Sequence, residues 1–301
     1  MKRCSPRRRY YLARRRHNEF KRTHRKSVRI GPSQRRYFAF PRDQLEVPAK
    51  VRVSSNPDRN ELLGFLENLR NKVYLERRSV TIDFSRVRRM YVDGTLLLRA
   101  EIERLTQLCD PSVSIRCILS RTRKVNEVLQ QVGIFPLLKC FPKLSPVAED
   151  VVRWRAAAGA NVDGEKTEPV LGPYYGDISE ELSSDLYEGV IEAMQNCLDH
   201  AYLGCRPDGL NQLERPKQWW MFSQFKDGLL SVAFCDLGIG FSGSLPKTNP
   251  PLWQRLVGRS QLSHGRLIEE AIKLGVTGTQ LPHRGKGVLS NPDMSLKGGS
   301  E

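Results

Sequence analysis

Acidic residues are almost missing from the first 42 positions. That stretch holds sixteen Lys and Arg against the single acid Glu19, a net of +15, and leaves only +1 for the rest of a chain whose total is +16. The basic character therefore belongs to a tail, and the remainder is close to charge balance. No apolar run approaches the roughly 18 residues that a membrane span needs, and the Arg-rich start is not followed by the apolar stretch of a secretory signal, although an organelle transit peptide shares its composition. The seven cysteines, at 4, 109, 117, 140, 197, 205 and 235, are odd in number and never spaced as CxxC. That pattern argues against a structural zinc site or a disulfide framework and suits a reducing cytoplasm. A P-loop is excluded too, because the Gly-Lys pair of HRGKG has no glycine five residues before it and no G-x4-GK spacing exists.

What the tail does contain is arginine clusters alternating with aromatics: RRRYY, RRRHNEFKR and QRRYFAF. Cations release counterions from phosphates while Tyr and Phe stack on bases, so nucleic acid is one expected partner. A solvated, disordered tail of residues 1–42 with no dedicated partner is the other reading.

Residues 43–146 alternate strand and helix patterns. KVRVSS reads as a short strand, and Asn56 and Pro57 open a helix carrying Leu62, Leu63, Leu66, Leu69 and Val73 at helical spacing. SVTIDFS is the next strand, running through VRRMYVDG to a helix opened by Thr95 with Leu96, Leu97, Leu98, Ile102 and Leu105. VSIRCIL is a further strand, and TRKVNEVLQQVG a helix stopped by Gly133. The strand, Asp-Gly turn and helix around Asp93 resemble the sulfate-transporter and anti-sigma-antagonist (STAS) fold, which implies a protein-interaction domain with a protein partner. That family carries a phosphorylatable Ser just before the turn glycine. Here Val92 and Asp93 precede Gly94, and Thr95 follows it.

Residues 146–180 lack periodicity and read as a boundary, so a second domain is expected over 147–301. Its central stretch is SSDLYEGVIEAMQNCLDHAY, from Ser183 to Tyr202. Leu182, Leu186, Val190, Ala193, Met194 and Cys197 form one apolar face, widened by Ile191 and Leu198, so the helix is expected to lie deep in a core. Glu188, Glu192, Asn196 and His200 recur every four residues as a polar stripe beside that face. A carboxylate, an amide and an imidazole one turn apart can offer a base for water, an oxygen for magnesium and a donor for phosphate. A solvated helix face is the plainer reading of the same stripe.

Downstream, QWWMFSQF and LLSVAFCD flank an Asp-Gly pair and read as a hairpin. The second strand ends at Asp236, Leu237, Gly238, Ile239 and Gly240, where an acid beside two glycines can accept from a ring amine while bare backbone lets the ring approach. RLIEEAIKLG then reads as a short helix, and HRGKG at 283–287 offers backbone amides and a lysine to phosphates.

In this order the three segments resemble the N, G1 and G2 boxes of the GHKL ATPase superfamily, whose Bergerat fold is shared by gyrase, histidine kinases and anti-sigma kinases. The resemblance covers roughly residues 175–290. It implies an α/β fold (an α+β sandwich) made of a STAS-like domain followed by an incomplete Bergerat-type domain that binds ATP with magnesium. Glu192 would then activate water, Asn196 ligate magnesium, His200 touch phosphate and Asp236 read adenine. Gly238 and Gly240 would shape the adenine floor, and Gly285, Lys286 and Gly287 the lid over the phosphates. Fourteen residues follow Gly287, fewer than the fold's closing helix and strands require. No histidine lies between His24 and His200, which speaks against a histidine autokinase. The expected activity is ATP hydrolysis or transfer to Ser or Thr of a partner, in the cytoplasm and away from membrane. The alternative is a non-catalytic module whose protein or nucleic-acid contact is switched by nucleotide.

Overall fold

In a computed structural model the described residues are 42–206, 217–257 and Ile268, and all of them lie within one compact unit spanning Arg42–Glu301. The tail, the helix expected at 266–275 and the whole HRGKG segment lie outside the described residues, apart from Arg42 and Ile268.

The first half builds a parallel sheet. β1 (Asp43–Glu46) and β5 (Ile115–Ile118) both pair with β3 (Val80–Asp83), while β2 (Lys50–Val51) and β4 (Arg89–Met90) form a separate two-stranded parallel ladder. Parallel neighbours need long crossovers, supplied by α1 (Asn56–Arg70) and α2 (Val92–Leu108). α1 begins with a proline in its first turn and buries Leu62, Phe65, Leu66 and Leu69. Leu63, expected on the apolar face, is instead exposed, and Phe65 takes its place in the core. α3 (Arg123–Gln131) ends before Gly133, whose φ of +77° is the left-handed conformation expected there; the short α4 (Ile134–Leu137) follows.

Two corrections concern the start of α2. The strand expected over KVRVSS is only two residues long, and the Asp-Gly pair is not a turn before the helix but part of its first turn. Asp93 accepts hydrogen bonds from Val53 N (3.1 Å), Ser54 N (2.7 Å) and Gly94 N (2.7 Å), tying the helix start to the chain leaving β2. A methyl group at 94 would stand 2.5 Å from Arg52 N, so only glycine permits the approach.

The second half contains an antiparallel sheet. After α5 (Glu149–Val152), β6 (Trp154–Gly159) pairs with β7 (Trp219–Lys226), which pairs with β8 (Leu229–Asp236). The β7–β8 hairpin turns through Asp227 (φ +52°) and Gly228 (φ +75°), the left-handed pair that a two-residue turn demands. α6 (Glu168–Leu171) and α7 (Glu180–Asn196) cover one face, on which Trp219 and Met221 meet Val170, Leu171, Val190 and Met194.

The other face of this sheet has no core of its own. Trp154, Trp220 and Phe222 belong to the same buried cluster as Leu62, Ile82, Leu98 and Ile134, so packing is continuous across the boundary read near residue 146. α2 lies at the centre and is buried on more than its apolar side. Glu101 and Arg104 are each 1% exposed and ion-paired at 2.7 Å, as burial of charge requires. Glu101 also receives Arg70 at 3.0 Å and Arg206 at 3.4 Å, and Glu103 accepts from Trp220 Nε1 at 2.9 Å. The fold is α/β, with mixed helices, a parallel sheet and an antiparallel one. No described helix is long and apolar enough to cross a membrane.

Candidate functional site

α7 is held at its start by Ser179, whose hydroxyl accepts from Leu182 N at 3.2 Å, with Glu180 and Glu181 in the first turn complementing the helix dipole. Of its expected apolar face only Val190 and Met194 are buried within the helix proper, while Leu186 and Ile191 are partly buried. The helix therefore lies along the sheet with one side open, rather than deep in a core. It ends at Asn196, and Cys197–Ala201 continue as a π-helical turn, so the expected single helix from 183 to 202 is two pieces. A π turn holds more residues than an α turn, and such turns concentrate at functional sites. Its effect here is geometric. A four-residue step within such a turn falls short of a full rotation, whereas in an α-helix it overshoots one, so the drift of the polar stripe toward the apolar face is not continued through the turn.

Along the stripe, Asn196 Nδ2 donates to Glu192 Oε1 at 3.3 Å, which turns the amide nitrogen toward the carboxylate and leaves the amide oxygen facing elsewhere. Glu192, Asn196 and His200 are all half-buried, and His200 Nδ1 is buried with no hydrogen-bond partner among the described residues. Gln195 Nε2 donates to Asp199 on the neighbouring stripe. Glu188, one turn earlier, is exposed.

The loop after β8 is locked against the π turn. Ile239 N donates to Ala201 O at 2.7 Å, and Tyr202 Oη accepts from Leu237 N at 3.2 Å while donating to Gln218 O. Gly238 is required by this approach, because a Cβ there would stand 2.1 Å from Ala201 O. Gly240 has φ +72° and turns the chain into α8 (Phe241–Thr248), which α9 (Pro250–Val257) follows. The glycines expected to admit a ring thus have structural tasks: Gly238 admits the Ala201 backbone, and Gly240 supplies a left-handed φ.

Asp236 Oδ1 accepts from Gly238 N at 2.8 Å, leaving Oδ2 outside that turn. Burial holds the carboxyl above its usual range, opposed by the Gly238 amide and the charge of Arg206. Arg206 also donates to Leu237 O at 3.0 Å, so it ties the loop to Glu101 of α2. The sequence reading did not single out Arg206; a lone arginine before a loop gives no signal of a partner 105 residues away. Cys197 and Cys235 flank the site, and burial together with the Asp236 charge pushes both thiols up to about 12, so neither is a nucleophile at neutral pH.

The structure therefore sets the Cys197–Ala201 turn, which carries His200 and continues the helix of Glu192 and Asn196, against the loop of Asp236, Gly238 and Gly240, about 40 residues further along the sequence. Gly285, Lys286 and Gly287 lie outside the described residues. Among those described, no group of three or more His, Cys, Asp or Glu side chains converges as a metal site. No protein-family profile, curated protein or solved structure matches this chain.

Proposed function

We propose that the chain is an ATP- and magnesium-binding regulatory protein of the GHKL type, acting in the cytoplasm. Its first half would be a STAS-like domain that recruits a protein partner, and its basic tail a contact for nucleic acid. The observation that supports the reading is the lock between the Cys197–Ala201 turn, which continues the helix of Glu192 and Asn196, and the Asp236–Gly240 loop, whose half-buried carboxylate has one oxygen free of its own turn. That is the pairing a nucleotide needs: an acceptor for a ring amine and a separate polar edge for phosphates.

Magnesium suits this donor set. It keeps several waters and takes phosphate oxygens with one or two protein ligands, and Asn196 presents a free amide oxygen because its nitrogen is committed to Glu192. When bound, the ion would neutralise phosphate charge. Glu192 would accept the proton of the attacking group, His200 would meet phosphate, and Asp236 would hold the base through Oδ2. Transfer to water, or to a Ser or Thr hydroxyl of the partner, is the activity this arrangement supports. The same Glu192–Asn196 hydrogen bond supports a second reading, in which Glu192 only orients the ligand amide and nucleotide occupancy switches a contact without turnover.

The test is calorimetric titration of the full chain with ATP, with and without magnesium. Binding is expected only with the ion, and Asn196→Ala is expected to weaken it at least tenfold, about the scale of one charge-assisted contact. Equal affinity for both proteins removes Asn196 from the site.

A further inference from the structure

A second cleft, about 830 Å³ in volume, opens between the first half of the fold and the antiparallel sheet, and none of the candidate nucleotide-site residues lines it. Its wall carries Arg52, Arg88, Arg89, Lys124 and Lys226 against two acids, Asp93 and Asp150. Both acids are engaged. The Asp93 carboxylate accepts from three backbone amides, and Asp150 pairs with Lys124. Arg88 and Arg89 are exposed and make no side-chain hydrogen bond or ion pair among the described residues. This concentration is local: outside the first 42 residues the chain is nearly neutral, so a basic composition does not account for five cations around one cavity.

The cleft also has an apolar side. Met90, Tyr91, Val92 and Ala233 line it, and the Arg52 guanidinium lies 4.8 Å from the centre of the Tyr91 ring, a cation–π contact that holds its charge in place. Ligand sites for small molecules span about 300–1,000 Å³ and combine apolar walls with a few fixed polar groups. A cavity of this size, with one apolar wall and several cations, two of them unpaired, fits a compact molecule with a flat body and more than one negative charge. An extended polyanion would need a track of cations rather than a single cavity.

We propose that this cleft binds a small organic diphosphate of nucleotide chemistry, held by Arg88 and Arg89 through its phosphates, independently of magnesium and of the Asp236 site. The probe is uridine 5′-diphosphate, titrated into the full chain at low salt with a metal chelator present, and inorganic pyrophosphate serves as competitor. One molecule is expected to bind per chain, with pyrophosphate displacing it. Arg88→Glu/Arg89→Glu is expected to weaken binding tenfold or more, and the milder Arg89→Gln/Lys226→Gln threefold or more. Arg86→Glu/Arg116→Glu carries the same charge change at exposed positions outside the cleft and is expected to stay within twofold of wild type. Asp236→Asn is expected to bind as wild type does, which separates this site from the proposed ATP site. No binding by wild type at millimolar probe overturns the proposal, as does an equal loss in the control variant, which would mark general attraction to a basic protein. A 20-residue single-stranded DNA that binds through Arg88 and Arg89 where the diphosphate does not would also overturn it, and would make the cleft a nucleic-acid surface. Unchanged far-ultraviolet circular dichroism is expected for every variant, since Arg86, Arg88, Arg89, Arg116 and Lys226 are exposed and Asp236→Asn keeps the shape of the side chain.

Discussion

Replacing Gly238 with alanine tests how the candidate site is held together. The added methyl would stand 2.1 Å from Ala201 O, 2.5 Å from its carbonyl carbon and 2.6 Å from its Cβ. Two of these are backbone atoms, so no side-chain rotation relieves the contact and the loop must move off the π turn. Overpacking of this kind costs about 1–3 kcal/mol. The separation also strains the 2.7 Å bond from Ile239 N to Ala201 O, worth about 1 kcal/mol. The expected loss is therefore about 2–4 kcal/mol. In a unit of this size that lowers the melting temperature by roughly 4–16 °C, and in urea it lowers the midpoint with an unchanged slope. Gly189→Ala is the control: it is exposed in mid-helix with no atom within 4 Å of an added Cβ, so it should gain about 0.5–1 kcal/mol from the reduced entropy of the unfolded chain. A Gly238→Ala protein as stable as wild type would refute the close approach of loop and turn.

Two further outcomes follow from packing and charge. Because burial raises the Asp236 pKa in the folded state, the folded protein binds more protons than the unfolded chain between the usual carboxylate value and the raised one, and stability falls as pH rises through that window. Asp236→Asn should thus be more stable than wild type at pH 7, with the difference shrinking toward pH 4; a difference that grows on acidification would contradict the burial of this carboxyl. Because Trp154, Trp220 and Phe222 share one cluster with Ile82 and Leu98, calorimetric unfolding should show a single transition, and two separated transitions would mean that the halves have independent cores.

What could be read from the residues was what local chemistry decides. Pro57 and the Leu62, Leu66 and Leu69 spacing mark α1, Gly133 marks the end of α3, and Asp227 with Gly228 marks the hairpin. Elements made by tertiary pairing were not legible. β6 is WRAAAG, with no β-branched residue, and it is a strand because β7 lies beside it. β1 buries only Leu45, too little for a period to show. The charges of α2 look solvated in sequence, yet Glu101 and Arg104 are buried because the second half packs over them. At the candidate site, the positions of Glu192, Asn196 and Asp236 could be picked out by residue type and spacing. The π turn and the locking role of Gly238 could not, since neither an i→i+5 bond nor a close approach to a residue 37 positions earlier leaves a local pattern.

The central claim is that Asp236 reads the base while the stripe on α7 meets the phosphates, and paired titrations with ATP and magnesium test it most directly. Glu192→Ala is expected to keep affinity within a few fold of wild type while abolishing any turnover, because a proton acceptor near the phosphates is not needed to hold the base. Asp236→Asn is expected to lose binding, since its Oδ1 is committed to Gly238 N and an amide nitrogen can replace the free oxygen. Wild-type affinity in Asp236→Asn, or ATP turnover by Glu192→Ala as fast as by an active wild type, would contradict the account.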